Sequence, residues 1–266
     1  MNKRKGFSLV EMLFVITFFG LIMGLMGYFL VDMMRVTNVA NNGFDMQRQG
    51  RHELDVMMSD IRDSSLVLSD APAETTALSD NSKCIILQSP SYDSAGNSLG
   101  INDIIAYQLV GSAAPYELQR TIWPAVGSSR PAVSGAVVAK NVKSMTLTYF
   151  SDQGVIGDGI TKVFTLAGIP TNSNLTVTEN GSVLQMGSSP GQYTFTAPQT
   201  LTFVTAPSAP DSIDTLYIAD PAVSPSQVTS VDVDLQLQVT SPALGRTAPT
   251  QTFELTGRCR LRNHGI

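Results

Sequence analysis

From Met12 to Val31 the chain runs for 20 residues without a charged side chain. At about 1.5 Å per helical residue that run reaches ~30 Å, the hydrocarbon thickness of a bilayer. It is long enough to cross a membrane as one helix. Glu11 stands at its head, inside an otherwise apolar segment, and an unpaired acid buried there costs roughly 2.5–3.5 kcal/mol even on insertion-based scales. Such a carboxylate needs a partner. Lys3, Arg4 and Lys5 precede it, and basic residues before a span hold that end in the cytoplasm, which places everything after Val31 on the far side. A removable secretory signal fits poorly, because no small-residue cleavage site follows a short apolar core. A plain one-pass anchor with an interfacial acid is the simplest alternative.

The stretch Lys5-Gly6-Phe7-Ser8-Leu9-Val10-Glu11 resembles the prepilin leader of type IV pilins and type II secretion pseudopilins. The resemblance implies cleavage between Gly6 and Phe7 by a prepilin peptidase on the cytoplasmic face, methylation of the new amine on Phe7, and retention of the apolar helix. It also gives Glu11 its partner. In a filament of staggered helices the Glu11 carboxylate of one subunit lies beside the Phe7 ammonium of another, and breaking such a pair on one side costs roughly 3–5 kcal/mol.

Past residue 70 the chain is rich in Ser, Thr, Gly and Pro, yet β-branched and aromatic residues recur throughout, the composition of an exported β-protein and not of a disordered tail. The formal net charge is −5, and without a basic patch nucleic acid is not expected as a primary partner. Gly20-x-x-x-Gly24, followed by Gly27, matches small-residue spacing that lets helices approach in lipid. Major pilins carry a helix-breaking proline near the position of Tyr28, and this chain has none there. Asn41-Asn42-Gly43 and Gly50 are expected weak points, where the helix kinks or breaks. Beyond them Leu54, Met57, Met58 and Ile61 fall at helical spacing and form a core face. The methionines are ordinary core, not a ligand surface. Ser64-Ser65 and Ala71-Pro72 close the helix, and the segment to Ser82 reads as a loop.

Strands are expected at Cys84–Gln88, Asp103–Val110, Tyr116–Trp123 and Val142–Phe150. On the third, Tyr116, Leu118, Arg120 and Ile122 share one parity. The clearest come last. Val231, Val233, Leu235, Leu237 and Val239 alternate with polar residues, as do Phe253, Leu255, Gly257, Cys259 and Leu261, the period of two that marks a half-buried strand. An antiparallel register that aligns both apolar faces puts Asp234 opposite Arg258 and Asp232 opposite Arg260, worth roughly 0.2–1 kcal/mol per pair. A basic partner-binding stripe from Arg258 to Arg262 is the functional alternative. The helix at Arg51 to Ser65, the strand into Tyr149-Phe150 and the ending Arg258-Cys259-Arg260-Leu261-Arg262-Asn263 are similar to W-type minor pilins and J-type pseudopilins.

Between Gly154 and Gln227 a self-contained run of short strand candidates turns through Asn180-Gly181, a strong hairpin signal. A structureless loop of that length is improbable in a compact domain. This segment reads as an all-β insertion and loosely resembles small β-sandwich modules of phage tail and other surface proteins. The whole is therefore expected to be α+β, a long N-terminal transmembrane helix packed on an antiparallel sheet as in pilins. Its parts are a leader (1–6), a span (7–31), the soluble half of the helix (32–66), a first sheet portion (67–153), the insertion (154–227) and the C-terminal strands (228–266).

Metal and phosphate-binding signatures are absent from the sequence: His52 and His264 stand alone, and no Cys-x-x-Cys, His-Glu-x-x-His or phosphate loop occurs. Asp152 and Asp158 are too few and wrongly spaced for an EF-hand and read as part of a turn. No enzyme activity and no cofactor are expected. Cys84 and Cys259 lie in an oxidising compartment if the topology holds, so they either form a bridge worth ~5 kcal/mol in the chain-entropy model or are two buried apolar thiols. The expected partners are prepilin peptidase, the inner membrane and other minor and major pilins. The function implied is a structural minor pilin of a type IV pilus, on a single-pass inner-membrane protein with a periplasmic C-terminal domain that later reaches the cell surface. The alternatives are a J-type minor pseudopilin of a type II secretion system and an adhesin whose insertion recognises a surface ligand.

Overall fold

In the computed structural model of this chain the described residues are 9–68, 83–219, 225–240 and 250–262. The first element, α1, is an α-helix over Leu9–Asp63, 55 residues long. It runs through Asn41-Asn42-Gly43 and through Gly50 without the expected break, since each poor helix former costs only up to about 1 kcal/mol against the neighbouring turns. The chain divides into two compact units, Met1–Arg48 with Val239–Gln251, and Gln49–Gln238 with Thr252–Ile266.

In the second unit, α1 from Gln49 onward packs on an antiparallel sheet. Leu54, Met57, Met58 and Ile61 are all buried, Met57 and Ile61 almost completely, as their helical spacing requires. Gly50 is a point of close approach: a Cβ there would lie 2.2 Å from Leu237 Cδ1 and 2.9 Å from Leu255 Cδ1. The expected weak point is thus a packing contact, and any side chain there would have to displace the Leu237 and Leu255 methyls.

The chain leaves the helix directly into β1 (Leu66–Leu68), a short strand where a loop is expected, paired antiparallel with β2 (Cys84–Tyr92). Then β3 (Ser98–Val110) and β4 (Tyr116–Trp123) follow as successive antiparallel neighbours. The next strand, β5 (Val133–Ile156), has 24 residues and extends well beyond the expected Val142–Phe150. It pairs with β4 up to Val142, with β12 (Ser230–Thr240) from Val142 to Phe150, and with β11 (Ser212–Ala219) from Phe150 to Ile156. Outside β12, β13 (Thr250–Arg260) completes a ten-stranded sheet. On β12 the residues Val231, Val233, Leu235 and Leu237 are buried, and on β13 Leu255 and Cys259. A Cβ on Gly257 would lie 3.1 Å from Met58 Cε, which puts this apolar face against α1.

The segment 154–227 is all-β, but it is shared between two sheets. Its strands β7 (Pro170–Glu179) and β8 (Ser182–Val183) join β11 in continuing the large sheet from β5, whereas β6 (Val163–Thr165), β9 (Tyr193–Thr196) and β10 (Thr200–Phe203) form a separate three-stranded sheet. The β7–β8 turn is the expected Asn180-Gly181, with φ of 51° and 78°. Both values are positive, as a two-residue hairpin loop of this kind demands.

Two polar clusters hold the unit together. Asp60 of α1 accepts hydrogen bonds from the Tyr107 hydroxyl at 2.5 Å and from Arg120 Nε at 2.8 Å. Tyr107 and Arg120 are cross-strand partners on β3 and β4. Burial, and after it the charge of Asp60, pushes the Tyr107 phenol well above its ordinary value. Burial opposes the Arg120 cation, but Tyr107 and Asp60 outweigh it and raise Arg120. The second cluster is Asp103, fully buried on β3, which accepts from Ser91 Oγ at 2.6 Å, Ala125 N at 2.8 Å and Ser128 Oγ at 3.0 Å, tying the β4–β5 loop to the sheet.

Gly50→Val should gain about 1 kcal/mol or less in helix propensity and lose about 1–3 kcal/mol by overpacking against Leu237 and Leu255. Urea unfolding in detergent should therefore show net destabilisation, and a gain in stability would refute the contact. A phenol whose pKa is raised by folding stabilises the fold fully below its unfolded pKa of about 10, and that stabilisation declines as pH rises above it. Tyr107→Phe should cost about 1–2 kcal/mol at neutral pH and should make the loss of stability above pH ~10 shallower than in the wild type.

Candidate functional site

Every large apolar side chain from Leu9 to Val31 is exposed, from 44% at Ile22 to 81% at Leu9. Mean hydropathy in an 18-residue window of α1 reaches 2.3, and none of that window is covered by the chain itself. Each such side chain gains about 1.5–3 kcal/mol on leaving water, so this surface calls for lipid or other apolar helices. Length and composition suffice for a membrane span. The Thr17 hydroxyl donates to Leu13 O at 2.8 Å, which satisfies it inside the helix. A Cβ at Gly20, Gly24 or Gly27 would meet nothing within 4 Å, so these positions leave open backbone for a neighbouring helix.

Glu11 lies in the first described turn of α1 and is exposed. Gly6 and Phe7, where cleavage and methylation are expected, lie outside the described residues.

Of the two alternatives for Cys84 and Cys259, the structure shows two buried thiols and not a bridge. Cys259 Sγ donates to Met58 O at 3.2 Å, against α1. Cys84 belongs instead to a cluster with Ile86 and Ala106. On β2 the side chains alternate, and Ile85 pairs with Tyr107, which reaches α1 through Asp60. Cys84 therefore points to the other face of the sheet.

The expected charge pairs are also displaced. Leu261 N donates to Thr229 O, and Arg258 pairs with Asp232, with Nη2 to Oδ2 at 2.7 Å. Arg258 also lies over the Phe150 ring at 4.4 Å, and its hydrogen bond to Asp232 raises its pKa. Arg260 reaches Asp152 on β5 at 3.8 Å. The shift is by two residues, so both apolar faces still align. Arg258 and Arg260 are thus engaged with acids, and the basic stripe does not present three bare cations.

Asp158 closes a turn as expected, whereas Asp152 lies within β5, paired with Leu216. Asp158 accepts from Ile160 N at 2.8 Å and Thr161 N at 2.6 Å, and hydrogen bonds, with the Thr161 hydroxyl foremost, hold its carboxyl down at about 2. Among the described residues no group of three or more His, Cys, Asp or Glu side chains is placed to hold a metal ion. His52 is exposed, and His264 lies outside the described residues. A cleft of about 650 Å³ opens where β7 turns into β8, beside the start of β11.

No protein-family model matches the chain, and no curated protein does. Among solved structures it is similar to a type IV-like pilin from Thermus thermophilus, 12% identical, with 81% of this chain and 95% of that one covered and a TM-score of 0.31. A superposition that loose carries no argument.

Alkylation of the unreduced, denatured chain should label both of its two cysteines, with no labelling of either in the folded state. A chain that takes up label only after reduction would contradict the separated thiols.

Proposed function

We propose that the chain is a minor pilin of a type IV pilus. In this reading it is a single-pass inner-membrane protein with its β body on the periplasmic side. A prepilin peptidase cuts between Gly6 and Phe7, and Phe7 is N-methylated. The mature α1 then packs among the helices of major and other minor pilins, where Glu11 neutralises the Phe7 ammonium of a neighbouring subunit. The role is structural, in initiating or assembling the filament, and asks for no catalytic group and no cofactor. The observation that carries it is the run Gly6-Phe7-Ser8-Leu9-Val10-Glu11 at the head of an apolar helix that the chain leaves uncovered. The continuous α1, with no proline near Tyr28, favours a specialised subunit over the bulk building block.

A second reading, adhesion through the segment 154–227, is favoured by the cleft beside the β7–β8 turn. Removing the whole segment would not test it, because β11 is hydrogen-bonded along β5 and its loss would strip a sheet edge.

Intact-mass measurement of protein purified from cells with an active prepilin peptidase should find Met1 to Gly6 missing and one methyl group on Phe7. A mature N-terminus still at Met1 would overturn the reading. Glu11→Ala should be processed normally yet fail to enter filaments, consistent with roughly 3–5 kcal/mol for leaving one charge of a buried pair alone.

A further inference from the structure

The cleft beside the β7–β8 turn is built from three separated stretches of chain: the turn Glu179 to Leu184, Pro190-Gly191, and residues between Phe203 and Asp211. Its volume of about 650 Å³ is in the range of small-molecule sites. The rim is fixed before any ligand arrives. The Asn180 amide donates to Asp211 Oδ1 at 2.7 Å, the Asn180 side-chain carbonyl accepts from Ser212 N at 3.0 Å, and Asp211 N donates to Ser208 O at 2.7 Å.

The lining has a definite chemistry. It contains the carboxylates of Glu179 and Asp211 and the hydroxyls of Ser182, Thr205 and Ser208, with no Lys, Arg or His among the described residues that form it. Acceptors outnumber donors and the charge is negative, so phosphate, sialic acid and acidic peptides are disfavoured. Asp211 already accepts from the Asn180 amide, which reduces what it offers a cation. The three hydroxyls both donate and accept, the behaviour that matches other hydroxyls. Leu184, half-buried, and Pro190, exposed, add apolar surface at the same place.

We infer that this cleft binds a neutral saccharide. Glu179 and Asp211 accept from its hydroxyls, Ser182 and Ser208 exchange hydrogen bonds with it, and Leu184 and Pro190 lie under its C–H faces. The inference deepens the adhesive reading and rests on it for its biological use, whereas the binding is a property of the cleft.

The test uses the full chain in a zwitterionic detergent, since maltoside detergents are themselves saccharides. It is presented to galactose-, glucose-, mannose- and N-acetylglucosamine-terminated oligosaccharides, to sialylated ones and to a lysine-rich peptide, and each bound probe is titrated by calorimetry. A neutral oligosaccharide should bind, Glu179→Gln should weaken it about tenfold, in line with one lost charge-assisted hydrogen bond, and Ser208→Trp should abolish it with an unchanged circular-dichroism spectrum. Ser182→Trp fills the cleft from the opposite wall and replaces Ser208→Trp if that variant misfolds. Binding of no neutral oligosaccharide, of the sialylated probes or peptide alone, or binding indifferent to these substitutions would overturn the inference. The N-terminal mass is read on the same sample, so a processed N-terminus without saccharide binding counts against the cleft alone. Saccharide binding in vitro with undiminished attachment of Glu179→Gln cells counts against the adhesive reading and leaves the cleft standing.

Discussion

Two stretches of one helix need different surroundings. Between Leu54 and Ile61 the apolar side chains of α1 are covered by the sheet that follows in the same chain. Between Leu9 and Val31 they are exposed among the described residues. At about 1.5–3 kcal/mol for each large apolar side chain taken out of water, the second stretch carries far more unmet free energy than any surface ion pair in the molecule. This imbalance leaves one demand: the exposed apolar stretch has to be met by lipid or by other helices.

Much of this was legible in the sequence because the physics left little choice. A period of two with one buried face fixes which residues of β12 and β13 point inward, and helical spacing does the same for Leu54, Met57, Met58 and Ile61. Where a choice remained, the reading went astray. Charge complementarity cannot distinguish two registers that differ by two residues and keep the same parity, so Arg258 found Asp232, and Arg260 found Asp152 on a strand not considered for it. The expected strand begins only at Val142, yet pairing with β4 holds the chain from Val133 onward in β5. The fate of Cys84 depends on which face of β2 the helix covers, a fact that belongs to the tertiary structure.

The polar clusters were the least legible part. Asp60 lies off the face formed by Leu54, Met57, Met58 and Ile61, yet it is the residue that joins α1 to β3 and β4. A signal was present: Arg120 shares its strand parity with Leu118 and Ile122, which are buried, and a cation on a core face requires an acid opposite. Asp103 gave no comparable signal, because its partners Ala125 and Ser128 come from a loop whose position only the folded sheet determines. At the head of α1, Glu11 could be singled out by its chemical oddness alone.

The length of β5 has a consequence for how such a molecule can vary. Successive thirds of a single strand pair with β4, β12 and β11, so the additional β segment is attached by backbone hydrogen bonds, which are indifferent to side-chain identity. Of the residues around the cleft, Asn180, Pro190, Gly191 and those from Thr205 to Asp211 lie on turns and connections outside the strands. They can be exchanged without disturbing the pairing that supports them, as loops on a rigid scaffold generally can. A lineage could thus exchange the residues around the cleft many times over while the strand that carries the segment stays as it is.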